Sequence, residues 1–103
     1  MILVTTKYMQ GKEIEMLGLV EGNSIQNKNA VKDFFQGVKS AVGGELKEYV
    51  DMLNKSREIS KERMIAQAKE MGADAIIGVR YSSTAIWEGV SETVVYGTAV
   101  KFK

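Results

Sequence analysis

Apolar positions along this chain change their spacing several times, and each change marks an element. Ile2 to Thr5 is a short β-prone run. Met16 to Ser24 is a second, with Leu17 and Leu19 on one face and Gly18, Val20 and Gly22 on the other, and the two runs are expected to be neighbours. Between them Gln10-Gly11-Lys12 is a turn signal, and Gly22-Asn23 with the polar run Gln26 to Asn29 reads as a loop. From Ala30 the period becomes helical. Val31, Phe34, Phe35, Val38 and Val42 make one stripe, with Asn29 placed as N-cap and Gly43-Gly44 as a stop or break. Glu45 to Met71 is the strongest helical segment, and Leu46, Tyr49, Val50, Leu53, Arg57, Ser60, Met64, Ala68 and Met71 trace one face. Such a helix is about 40 Å long. Asp51 with Lys55, and Glu58 with Lys61, are spaced for exposed ion pairs, while Gly72 falls where a left-handed C-cap belongs.

Two further strands follow. Ala75 to Ser83 carries Ile76, Ile77 and Val79, and Val94 to Phe102 alternates with Val94, Tyr96, Thr98, Val100 and Phe102 on one side. Trp87-Glu88-Gly89 between them predicts a hairpin. A long amphipathic helix packed on a small sheet is an α+β fold, expected here as one domain over residues 1–103. A small sheet keeps open edges, which proteins cover, twist or pair. Self-association is the simplest solution.

Composition removes function classes. The chain has no Cys and no His, which deletes thiolate and imidazole metal ligands together with the usual general base and thiol nucleophile. An enzyme would have to run on carboxylates, Lys, Tyr or Ser. The formal net charge is +1, with 14 Lys and Arg interleaved among 13 Asp and Glu, so the concentrated positive charge that nucleic acid requires is missing. No apolar run reaches the roughly 20 residues that cross a bilayer, and without cysteines a disulfide framework is out; the cytoplasm is the default compartment. Gly43-Gly44 and Gly11-Lys12 fit no phosphate-binding motif, no G-x-S-x-G occurs, and the six Met residues form no cluster. No cofactor is expected.

Several ordered blocks resemble the YbjQ-like family, which carries a heavy-metal-binding label. They are Gly43-Gly44-Glu45, Tyr49, Leu53, Arg57, Arg63-Met64, Ala68, Gly72-Ala73-Asp74-Ala75-Ile76-Ile77-Gly78-Val79-Arg80 and Tyr96-Gly97-Thr98-Ala99-Val100, with Gly18, Val20, Gly22 and Asp33 upstream. The resemblance implies a dodecin-like subunit, a helix on an antiparallel sheet, assembling with copies of itself as a homopentameric ring. It implies little about activity. Within its blocks Glu45, Tyr49, Arg57 and Arg80 are the candidate ligand or interface residues, and an Arg on a mostly apolar helix face is expected to find a carboxylate in its own subunit or the next. The preferred reading is a ring module that binds a small ligand or ion between subunits. The alternatives are metal binding through carboxylates alone, or an enzyme of unknown class using Glu45, Tyr49 or Arg57.

Overall fold

The structure, a computed structural model, describes residues 1–27, 42–87 and 90–103. Four strands and a long helix account for them: β1 (Ile2–Leu3), β2 (Ile14–Asn27), α1 (Val42–Glu70), β3 (Ala75–Trp87) and β4 (Val90–Phe102). The sheet order is β1-β3-β4-β2, and α1 lies across one face. The helix expected from Ala30 lies almost wholly outside the described residues.

The β3–β4 hairpin is the centre of the sheet. Trp87 pairs with Val90, so the two strands form the predicted hairpin, while Glu88 and Gly89 lie outside the described residues. Its second strand has one free side, and β2 takes it, pairing antiparallel from Ile14↔Phe102 to Asn27↔Val90. That register sets Val20, Gly22 and Ser24 under the helix, all buried. The loop expected at Gly22-Asn23 is therefore strand, because the glycine is needed for contact rather than for a turn. A Cβ on Gly22 would collide with the Ser60 carbonyl oxygen and stand 2.6 Å from the Met64 nitrogen.

With β4 flanked on both sides, the N-terminal strand takes the outer side of β3 instead of joining β2. Ile2 pairs with Ala75 and Leu3 with Ile76, in parallel. This corrects both the expected neighbour and the all-antiparallel sheet. A two-residue strand carries too little pattern to name its partner.

Two of the three register irregularities set which face a described side chain takes. The register slips between Met16 and Gly18, so Leu17 is unopposed and packs on the helix side. It slips again between Ile77 and Arg80, where Gly78 takes a φ of 60° that favours glycine. Val79 thereby joins the core beneath the helix, and Arg80 turns to the back of the sheet beside its cross-strand partner Tyr96.

The principal core contains Val20, Met64, Ala68, Ile76, Val79, Val95 and Ala99. A second cluster, Ala75, Ile77 and Val100, lies on the back face and is covered by Val4, Met9, Ile14 and Phe102. The helix is continuous through Gly43-Gly44, where a break was expected. Its buried line is Ser56, Ser60, Met64 and Ala68, strictly four residues apart, whereas Val50, Arg57 and Met71 of the predicted face are exposed. Gly72 ends it as expected, with a φ of 78°. Ala73 N–H donates to the Ala68 carbonyl at 3.1 Å and Gly72 N–H to Lys69 at 3.0 Å, the paired bonds of a Schellman cap.

The described molecule is long and thin, with principal extents of 56 × 25 × 19 Å and a radius of gyration of 17.1 Å. A compact domain of this length has about 13 Å. No helix among the described residues is long and apolar enough to cross a membrane.

Candidate functional site

The residues singled out in the sequence are not brought together where they can be followed. Glu45 and Tyr49 occupy the first two turns of α1, and their side chains lie outside the described residues. Arg57 is exposed on the same helix and donates from Nη1 to Asn54 Oδ1 at 2.7 Å. Arg80 is exposed on the opposite side of the sheet, where Nη1 donates to the carbonyls of Thr5 at 2.9 Å and Val79 at 2.8 Å. Neither guanidinium has the expected carboxylate within the described chain. Arg80 instead ties the N-terminal segment to the bulge, which is a structural task.

A recess that the sequence reading missed lies along the outer margin of β2. It has a volume of roughly 450 Å³ and is lined by Glu21, Gly22, Asn23, Gln67, Glu92 and Val94. Its walls are hydrogen-bonded to each other. Glu21 N–H donates to Gln67 Oε1 at 2.7 Å, Asn23 Nδ2 donates to Glu92 Oε2 at 2.8 Å, and Arg63 Nη1 donates to the Asn23 carbonyl at 2.6 Å. Arg63 and Gln67 are one helical turn apart, so they reach the strand together and occupy the backbone groups of Glu21 and Asn23 that point outward. This part of the margin is closed to another strand. The recess keeps two carboxylates, Glu21 and Glu92, and spends its amide donors internally, so a cation suits it better than an anion. Only the four-residue spacing of Arg63 and Gln67 could have hinted at it in the sequence.

The electrostatics are mild. Lys61 Nζ lies 2.8 Å from Glu58 Oε1, and this hydrogen bond, more than the surrounding charges, raises the lysine above its ordinary pKa. The companion pair predicted between Asp51 and Lys55 is not formed among the described residues. Among those residues no group of three or more His, Cys, Asp or Glu converges to hold a metal ion. With thiolate and imidazole missing from the whole chain, the described donor set does not fit a heavy-metal centre.

One helix packed on a four-stranded mixed sheet defines, among the described residues, a small α+β protein. The chain belongs to the YbjQ family, whose model, described as "Putative heavy-metal-binding", matches residues 1–103. It is similar to a UPF0145 protein of Clostridium novyi, 55% identical over 101 residues and covering 98% of each chain. A UPF0145 protein of Alkaliphilus metalliredigens is 53% identical over 102 residues, 99% of each chain. Among solved structures, a protein of unknown function of the DUF74 family from Pediococcus pentosaceus superposes with a TM-score of 0.70 at 16% identity, over 100% of this chain and 98% of that one. This last likeness concerns the fold alone.

Proposed function

We propose that the chain is a self-assembling, non-enzymatic module of the cytoplasm. In this reading its dodecin-like subunits close into a homopentameric ring and bind a small ligand or ion where subunits meet. The observation that carries the reading is the contrast between the two margins of the sheet. Arg63 and Gln67 plug the β2 margin at Glu21 and Asn23, but no described residue pairs with the outer side of β3 beyond Val79. That stretch, Tyr81 to Trp87, contains no charge and no proline. Among the described residues it is an uncovered, β-prone edge of the kind that pairs with another chain.

The sheet's back face adds to it. Leu19 is 68% exposed, Ile25 58% and Tyr96 39%, all on the side away from α1. In the proposed ring the β3 margin meets a different surface of the next copy, a head-to-tail contact that makes a ring when the rotation closes. Glu45, Tyr49, Arg57 and Arg80 remain the proposed contact or ligand residues, now joined by the recess at Glu21 and Glu92.

Native mass spectrometry on protein purified without added ligand tests the reading. The expected mass is that of five chains; a monomer at micromolar concentration would overturn it. Ser83→Pro sharpens the result. Glu21 directs its N–H away from β4, so its partner Tyr96 faces Arg80 and the inward bonds of β3 fall to Arg80, Ser82 and Thr84. Ser83 points outward, so proline there spares the hairpin and blocks a neighbouring strand. The variant is expected to fold and to lose the assembly.

A further inference from the structure

The interface between α1 and the sheet contains a layer of hydroxyl groups that neither the family nor the assembly explains. Ser24 of β2, Thr93 of β4, and Ser56 and Ser60 of α1 are all buried. Ser24 and Thr93 are direct cross-strand partners, and Thr93 is in turn paired with Ser83. Ser60 Oγ lies 3.0 Å from both the Ser56 carbonyl and the Thr93 carbonyl, and its one proton serves one of them at a time. Ser24 Oγ accepts from Gln26 Nε2 at 3.1 Å, which leaves its own proton to give. Ser56 Oγ, fully buried, has no hydrogen-bond partner among the described residues.

The register of α1 on β2 brings Ser56 to the level of Ser24. The helix runs back along β2 in a regular series: Met71 reaches Gly18, Gln67 reaches Glu21, and Ser60 and Met64 close on Gly22. Two residues further along β2 advance about 6.6 Å, and four residues back along α1 cover about 6 Å. The step from Gly22 leads to Ser24, and the step from Ser60 leads to Ser56. Two buried hydroxyls therefore come to one level with no hydrogen bond between them, where whichever of the Ser56 and Thr93 carbonyls Ser60 leaves keeps a second lone pair that can accept.

We infer that this layer is a built hydration site: one water molecule is bound between Ser56 Oγ and Ser24 Oγ and hydrogen-bonds to the carbonyl that Ser60 leaves free. Such a site has the two to four polar partners that an internal water requires. It is independent of the ring.

A double-mutant cycle with a spectroscopic readout tests it on the full chain. Ser56→Ala and Ser24→Ala each remove one end of the bridge and are expected to lower the Tm by about 4 °C. The double variant is expected to melt no lower than the worse single one, because either change already releases the water. In the unsubstituted protein, nuclear Overhauser contacts from a long-lived water to the Ser56 and Ser60 amides are expected, and both variants lose them. A Tm that rises in Ser56→Ala would overturn the inference, since that is the signature of a hydroxyl buried for nothing. So would additive shifts, or the lack of water contacts in the unsubstituted chain, which would leave a direct Ser56–Ser24 contact as the source of coupling.

Discussion

Toward its C-terminal end α1 sets Met64 and Ala68 against Val20, Val95 and Ala99, whereas one turn earlier Ser60 donates toward the Thr93 carbonyl, and Ser56, a turn before it, is a buried hydroxyl. The backbone geometry is the same in both halves and the chemistry is not. The inner half gains from apolar area removed from water, about 25 cal/mol per Å². The outer half relies on hydrogen bonds, each worth a net 0.5–1.5 kcal/mol at roughly typical strength, and it carries a buried hydroxyl whose desolvation costs about 1–3 kcal/mol if nothing meets it. The inner half also has a second layer behind the sheet, where Val4, Met9, Ile14 and Phe102 cover Ala75, Ile77 and Val100. The outer half keeps its back face open at Ile25. One half is a small two-layered core, and the other is an arm with less apolar burial among the described residues.

The greatest effect is expected where the two halves join. Gly22 lies against the helix backbone at Ser60 and Met64, and neither obstacle is the movable end of a side chain. Gly22→Ala must push α1 off β2 along its whole length, and a destabilisation of about 3 kcal/mol or more follows from overpacking at a rigid contact. Urea denaturation measures it. A loss below about 1 kcal/mol would show that the helix can lift cheaply, and the division into halves would fail with it.

Next in size is the contrast across α1. Met64→Ala deletes a fully buried side chain and is expected to cost about 2–5 kcal/mol, while Val50→Ala, at a position 50% exposed, should stay within about 0.5 kcal/mol. Hydrogen exchange sharpens the same comparison. Amides from residue 50 to 58 should exchange faster than those from 62 to 70, because local opening starts where apolar burial is least. Equal costs and equal protection would mean that the helix docks as one unit.

What could be read from the sequence follows the same line. The inner half was legible: Met64, Ala68, Ile76 and Ala99 obey the helical and strand periods, and Gly72 closes the helix where a glycine should. Periodicity reports apolar burial and nothing else. It therefore passed over Ser56, which is buried without being apolar, and admitted Val50 and Arg57, whose spacing suits a face they do not occupy. Gly22-Asn23 reads as a loop in the sequence because glycine marks a break and a close helix contact in the same way. The partner of Ile2–Leu3 depends on which margin the hairpin leaves free, a tertiary fact with no local trace. The recess was missed for a related reason, since Glu21 and Glu92 are 71 positions apart and meet only through the β2–β4 register. Of the four proposed residues, Arg57 and Arg80 proved to hold local carbonyl oxygens, a role that charge and spacing cannot distinguish from ligand binding.

The smallest effect concerns the solvent side of the outer half, where Lys61 and Glu58 make an exposed ion pair at 2.8 Å. Their hydrogen bond raises the lysine above its ordinary value of 10.5 in the folded chain. A raised lysine stabilises fully at pH below its unfolded value, and that contribution disappears as the pH climbs through the folded one. Glu58→Gln removes the partner without changing the shape of the side chain. At neutral pH and low salt it should cost only a few tenths of a kcal/mol, as a pair three residues apart on an exposed helix face allows. The difference between the two proteins should vanish in strongly alkaline buffer, where Lys61 is neutral in both. A gap that persists there would come from something other than the charge. A gap of 1 kcal/mol or more at neutral pH would mean that the outer half of α1 is held from its surface rather than from beneath, since an exposed pair on a well-anchored helix has no means of contributing so much.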